Sequence, residues 1–388
     1  MEVKISDAVK YIGVDDRSID LFESQYVVPD GVTYNSYLIL DEKVALMDTV
    51  DARGMEEWEK NLMAALGGRK VDYLVVSHLE PDHAGSIGRL MELFPEVTLV
   101  GNAKTFAMLP QFFEVGNIKQ MAVAEGDTLS LGAHNLQFFM APMVHWPEVM
   151  VSYESTEKIL FSADGFGKFG AMDAEDDEGW ACEARRYYFN IVGKYGAPVQ
   201  ALLKKAATLD IQTICPLHGP VLNENLGYYI GLYDTWSSYK PENKGVLVAY
   251  ASIHGNTGKA AEKFAEMLRE KGVEKVVVSD LAREDMAEVI EDAFRYDRMV
   301  VAGASYDGGV FPCMQDFLHH LQSKAYQNRT VGIIENGSWA PCAAKSMKSV
   351  LETMKDVTVL EPSVTIKSTL KDADLPKLEE LADAIANA

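Results

Sequence analysis

The stretch Ser77–Ser86, SHLEPDHAGS, places two imidazoles and two carboxylates (His78, Glu80, Asp82 and His83) within six positions around Pro81. Proline lacks an amide hydrogen and disfavours helical geometry at the residue before it, so the stretch is expected to be an extended loop and not a helix. Side chains on extended backbone alternate, which sends His78, Glu80 and Asp82 one way and turns His83 aside. Such a cluster suits two neighbouring metal ions if further ligands exist. Three candidates stand out: His145 in PMVHWPEVM, Asp164 in LFSADGFG and His218 in CPLHGP. Pro or Gly follows each closely, so each is expected where a strand gives way to a loop and a sheet presents side chains to a cleft. Singly, a histidine or aspartate in such a place is most often structural. Four ligand-type residues in six positions are another matter. The seven residues supply four imidazoles and three carboxylates, enough for three unshared ligands per metal and one bridging carboxylate.

Residues 1 to about 240 read as short apolar strands separated by turns: YNSYLIL, KVALMD, VDYLVVSH, EVTLVG, LQFFMAP, KILFSAD and QTICPLHG, with helical stretches at 55–66 and 86–94. More strand than helix, without strict alternation, indicates sheets flanked by helices. SSYKPENKG, 237–245, interrupts the apolar pattern and is the candidate linker, dividing the chain into 1–243 and 244–388. Beyond it the rhythm changes to strict alternation. GVLVAYAS, KVVVSD, RMVVAGAS, TVGIIENG and VTVLEP are strands, separated by helices and followed by a last amphipathic helix from about 373. Strands apolar throughout predict a parallel sheet covered on both faces. The fold class is α/β overall.

The first of these strands runs into SIHGNTGKAA, 252–261, and then into a helix. Gly255 and small hydroxylated residues at such a turn let backbone amides approach a phosphate, with Ser252, Asn256 and Thr257 adding side-chain hydrogen bonds. The stretch is neither G-x-x-x-x-G-K-[ST] nor G-x-G-x-x-G. An uncharged loop fits a monophosphate met by amides and the helix dipole.

A net charge of −22 repels nucleic acid and anionic lipid, so neither is expected as a partner. There is no apolar run near 18 residues and no leader at Met1, which points to a cytoplasmic protein without a membrane span. Cys182, Cys215, Cys313 and Cys342 form no C-x-x-C pair, which argues against a disulfide framework, a zinc ribbon or an attached iron–sulfur module. They are expected to be buried small apolar residues. His134, His319 and His320 lack acid or loop context and are expected to be structural or surface residues.

The spacing H-x-E-x-D-H, followed by His145, Asp164 and His218, resembles the metallo-β-lactamase superfamily in the branch found in flavodiiron proteins, also called A-type flavoproteins. Hydrolytic members usually carry H-x-H-x-D-H; Glu80 replaces the second histidine, and a harder, more anionic site favours iron over zinc. The resemblance implies an αββα sandwich in which His78, Glu80 and His145 hold one iron and Asp82, His83 and His218 the other, with Asp164 bridging. Tyr26, Trp146 and Ser77 are candidates for orienting ligands or lining the pocket. The phosphate loop is similar to the flavodoxin pattern [ST]-x-x-G-N-T, with Ile253 and His254 in the variable positions; His254 departs from the residue often seen there. By that resemblance the second half is a doubly wound flavodoxin-like sheet binding FMN. The loops ASYDGGVF (304–311) and ENGSWAPC (335–342) fall where the family sandwiches the flavin ring. They supply Ser305, Tyr306, Asp307, Gly308 and Gly309, and Asn336, Gly337, Ser338 and Trp339.

Metal domain first and flavin domain second matches the short kind of flavodiiron protein. The implied activity is reduction of O2 to water, of NO to nitrous oxide, or both. Electrons would pass through FMN from an external donor such as rubredoxin or reduced F420, in a head-to-tail homodimer or a dimer of dimers. The rivals are a zinc hydrolase with an accessory flavodoxin-like domain, which Glu80 opposes, and an electron carrier, which the seven-ligand set opposes.

Overall fold

The computed structural model describes residues 3–114, 116, 118–174 and 178–388. Two units emerge, Met1–Tyr188 with Ala197–Asp234, and Phe189–Gly196 with Thr235–Ala388.

The short apolar runs of the first unit pair into two sheets. One runs Val9–Tyr11, Tyr37–Leu40, Val44–Met47, Tyr73–Val75, Thr98–Gly101, Lys119–Ala122, antiparallel across its first three strands and parallel thereafter. The other runs Thr128–Ser130, Asn135–Met140, Met150–Glu154, Ile159–Phe161, Thr213–Cys215, antiparallel except for its last pair. Residues two apart share a face of a strand, so Tyr37 with Ile39 and Ala45 with Met47 meet Leu136 with Phe138 and Ile159 with Phe161 in one core. The intervening Leu38 and Leu46 are also fully buried. Above that outer face lies the helix Met55–Leu66, which touches Tyr37–Leu40 and buries Trp58, Leu62 and Leu66. Strands covered on both sides explain why these runs are apolar without alternation.

His134 is structural, as expected. Its Nδ1 lies 2.9 Å from Asp41 Oδ2, and its backbone N–H donates to the same oxygen at 2.6 Å, tying the turn after Leu40 to the turn before Asn135. Burial opposes the imidazolium, but Asp41, Glu154 and Glu157 raise His134 above its ordinary pKa. A raised value in the folded state stabilises fully below the unfolded value of about 6.5 and is lost as pH rises through the folded one. His134→Asn is therefore expected to lower the Tm by about 2 °C at pH 6 and by less at pH 9, measured by calorimetry at both values.

The second unit carries a sheet in the order Val276–Asp280, Asn243–Ala251, Tyr296–Tyr306, Arg329–Asn336, with Val357–Val359 and Val364–Ile366 both pairing with the last of these. All these pairs are parallel, and the order 2-1-3-4-5 is that of the flavodoxin type. Helices Asn256–Glu270 and Leu375–Ala386 seal one face through Phe264, Leu268, Leu378 and Ile385 against Val246, Val248, Val300 and Ile334. Helices Met286–Arg295, Pro312–Ser323 and Ala343–Leu351 are the other helical elements of the alternation. The expected alternation holds, with one addition: VTVLEP is only half of the edge, and Val364–Ile366 completes it. Phe189 joins this unit by stacking on Phe294, with centroids 4.3 Å apart and planes at 13°.

The cysteines depart from expectation. Cys215 is buried, whereas Cys182, Cys313 and Cys342 are half-buried, and Cys342 lies on the wall of a cleft described below. Among the described residues no helix is long and apolar enough to cross a membrane.

Candidate metal centre and flavin cleft

His78, Asp164 and His218 each stand three positions beyond a strand, after Val75, Phe161 and Cys215, and His145 stands five beyond Met140. The same end of the sandwich therefore receives all four. The Ser77–Ser86 stretch corrects the extended-loop expectation: Pro81–Ala84 is a helical turn. Proline is well placed at the first helical position, where its missing amide hydrogen is not needed, and its steric restriction falls on Glu80, which is extended at φ −59°, ψ 138°. The N–H groups of His83 and Ala84 both donate to the Glu80 carbonyl at 2.9 Å. Gly85 is required at the end of the turn, since a Cβ there would lie 2.6 Å from the Pro81 carbonyl oxygen.

That turn regroups the side chains. His78 and Glu80, on extended backbone, join His145, whereas Asp82 and His83, on the turn, join His218. The expected alternation, with Asp82 beside His78 and His83 aside, is thus replaced by two groups. Glu80 Oε2 lies 3.1 Å from His78 Nε2 and 3.0 Å from His145 Nε2. Asp82 Oδ2 lies 3.3 Å from His83 Nε2 and 3.1 Å from His218 Nε2. Asp164 addresses both groups. Its Oδ2 is 3.4 Å from His78 Nε2 and 3.5 Å from His145 Nε2, while its Oδ1 is 3.1 Å from His83 Nε2 and 3.8 Å from His218 Nε2.

Separations of this size are those between donors sharing a cation at about 2.1 Å. Alignment supports the same conclusion. Both Asp82 oxygens, Asp164 Oδ2, His145 Nε2 and His218 Nε2 are buried without a hydrogen-bond partner, although several lie close enough for one. Buried polar atoms are normally satisfied, so atoms that converge without pairing fit a cation. Burial opposes charge on Asp164, yet His83, His78 and His145 hold its carboxyl well below the usual range. Burial likewise opposes protonation of His83, but Asp82 and Asp164 push it up to about 9. A bound cation replaces the proton in that role and inverts the local logic.

Outer contacts fix the imidazoles. His218 Nδ1 donates to the Thr33 carbonyl at 2.6 Å, leaving Nε2 to face the cluster. His78 Nδ1 lies 2.7 Å from Glu148 Oε1, which also accepts from the Leu79 N–H at 2.9 Å. Glu148 is fully buried, and the sequence reading missed it although it lies three residues beyond His145. Of the residues proposed for this role, Trp146 sets its ring edge-on to His78 at 5.0 Å, Tyr26 packs against Phe169, and Ser77 is held through its backbone, its N–H donating to Asp48 at 2.7 Å.

In the second unit a cleft of about 850 Å³ opens at the carboxyl ends of the strands. Ser252, Ile253, His254, Asn256 and Thr257 line it from the first loop, Ser305, Tyr306, Asp307 and Gly308 from the second, and Asn336, Gly337, Ser338 and Trp339 from the third. Gly255, at φ +84°, and Gly309, paired with Tyr306, shape two of these loops without lining the cleft. Ser252 Oγ is buried without a partner beside the helix Asn256–Glu270, an acceptor and donor free for a phosphate. Ser305 Oγ is already engaged, accepting from the N–H groups of Cys342 and Ala343 at 2.9 and 3.1 Å. Ser368, Ala304, Ala340 and Cys342 complete the wall and were not singled out in the sequence. Ser368 belongs to a fourth loop, braced by Asn336 Nδ2 donating to its carbonyl at 2.8 Å.

The two halves match separate family models, ODP family beta lactamase over residues 32–219 and Flavodoxin domain over residues 247–368. They define a class: a β-lactamase-type metal domain joined to a flavodoxin domain. A nitric oxide reductase of Moorella thermoacetica is 30% identical over 392 residues, covering 99% of this chain and 98% of the relative. The solved rubredoxin oxygen:oxidoreductase of Desulfovibrio gigas is 28% identical with a TM-score of 0.91, covering 100% of this chain and 98% of that one. The flavodiiron protein of Giardia intestinalis shares the fold at 24% identity and a TM-score of 0.93, over 100% and 96% of the two chains. The chain belongs to the flavodiiron protein family.

Proposed function

We propose that the chain reduces dioxygen to water, nitric oxide to nitrous oxide, or both, at a non-haem diiron centre fed through FMN by an external electron donor. The observation that carries this reading is Asp164, whose two oxygens face separate imidazole–carboxylate groups. His78, Glu80 and His145 would hold one iron and Asp82, His83 and His218 the other, with Asp164 shared between the two groups. Three carboxylates make the site hard enough for iron. When bound, an iron pair would supply the redox chemistry for reduction of the diatomic, and a flavin would supply the electrons. Glu148 and the Thr33 carbonyl keep His78 and His218 in the tautomer that presents Nε2. In the cleft, Ser252, Asn256 and Thr257 would hold the flavin phosphate, with Tyr306 and Trp339 available to its ring.

The boundary between the functional domains is placed at 243/244, and the setting is cytoplasmic. A rubredoxin or reduced F420 serves as donor, a reading supported by the similar rubredoxin oxygen:oxidoreductase of Desulfovibrio gigas, whose name carries rubredoxin. Trp339, 92% exposed, and the exposed Ile253 and Tyr306 form an apolar rim around the cleft, which supports a head-to-tail homodimer or a dimer of dimers. The test is anaerobic reduction followed by stopped-flow mixing with each gas. Repeated flavin reoxidation with excess reductant is expected for at least one gas. A single stoichiometric reoxidation with both would contradict the proposal.

A further inference from the structure

The loop that carries His218 is pinned by the segment 33–37 of the same unit. Asn35 stands there between the strands Val32–Tyr34 and Tyr37–Leu40 and is fully buried. Its Nδ2 donates to the carbonyls of Pro216 and Gly219, both at 2.8 Å, and its backbone N–H donates to the Leu217 carbonyl at 2.9 Å. A carboxamide carries two N–H donors on one nitrogen, so a single residue spans both ends of the 216–219 turn and closes it around His218. The Asn35 side-chain oxygen is held in turn, accepting from the Tyr11 hydroxyl at 3.0 Å, which sets the end of the amide that faces the loop. Tyr37 adds a second donor to the Pro216 carbonyl, at 2.6 Å. Aspartate has no donor to offer here, and glutamine is one methylene too long for a site without exposed surface. The other ligand group is braced elsewhere. Asn102 Nδ2 donates to the Glu148 carbonyl at 2.5 Å, and Glu148 orients His78. Neither asparagine belongs to a ligand group.

We propose that Asn35 is a positioning residue for one metal of the pair: it holds His218 where Asp82 and His83 can share a cation with it, and so sets the occupancy of that position and not of the one formed by His78, Glu80 and His145. The inference rests on the diiron reading above. Asp82 and His83 share one helical turn, so His218 alone of the three arrives on a separate segment, and the geometry of the group depends on where its loop sits. Without the amide, two buried carbonyls each lose a donor and the loop relaxes towards others. Contacts that orient a ligand in this way are worth about 10–100-fold in metal affinity.

The test loads the full chain with iron, equilibrates its crystals with graded chelator and reads the occupancy of each metal position by anomalous scattering at the iron edge. Asn35→Ala is expected to weaken iron at Asp82, His83 and His218 by about 10–100-fold, with the other position shifted far less. Asn102→Ala, which frees the Glu148 carbonyl, should reverse that order. Tyr37→Phe keeps the buried ring and removes one donor, so it should shift the same position as Asn35→Ala by a smaller factor, and it carries the test if Asn35→Ala does not fold. A mere loss of fold stability would weaken both positions alike. Equal shifts of the two positions, or shifts within about twofold of the parent and so far short of a ligand-orienting contact, would overturn the proposal. Failure of the diiron reading would look different: the parent chain itself would show no iron at either position.

Discussion

Replacing Asp164 with asparagine is expected to strip the chain of iron while FMN stays bound. The reason is geometric. Asp164 is the residue whose Oδ2 serves the His78 and His145 group and whose Oδ1 serves the His83 and His218 group, all at 3.1–3.8 Å. Asparagine keeps the shape but removes a full negative charge and one of the two acceptor oxygens, so one group loses its shared ligand and the other keeps only a neutral amide oxygen. Outer-sphere substitutions alone cost about 10–100-fold in metal affinity, and a shared inner ligand should exceed the top of that range. The flavin cleft is built from second-unit residues, beginning at Ser252. Iron and flavin assays on the purified variant check this. Loss of both cofactors together would instead indicate a folding defect.

The second large effect is expected at Glu148. The Glu148→Gln variant keeps the oxygen that accepts from both donors but loses the charge that polarises His78 through Nδ1. Iron affinity, read from competition with a chelator, should fall about tenfold. Glu148→Leu should fall further and also lose stability. It leaves the Leu79 N–H and His78 Nδ1 buried without partners, at about 1–3 kcal/mol each. An unchanged chelator midpoint in both variants would mean that Glu148 only packs.

Both predictions bear on what could be read beforehand. The seven cluster residues were legible because ligand chemistry restricts residue type, and because strand-to-loop transitions could be marked by Pro and Gly after His145, Asp164 and His218. Their division into two groups was not derivable from the extended-chain argument. Pro81 constrains the residue before it and favours a helix start at itself, and one helical turn moved Asp82 from the side of His78 to that of His218. Glu148 escaped notice because a buried carboxylate three residues after a histidine carries no signal until the fold brings it to a different histidine, 70 positions away in sequence. In the second unit nearly every element followed from apolar strand runs alternating with amphipathic helices. Ser368 was missed because the edge strand Val364–Ile366 is only three residues long.

The central claim is tested most directly by low-temperature electron paramagnetic resonance on the purified chain, reconstituted with ferrous iron and FMN and titrated with reductant. A bridged pair predicts no signal from the fully ferric form, a coupled mixed-valent signal after one electron per pair, and about two irons per flavin by analysis. Two uncoupled ferric signals, or a chain that retains zinc in preference to iron, would contradict it.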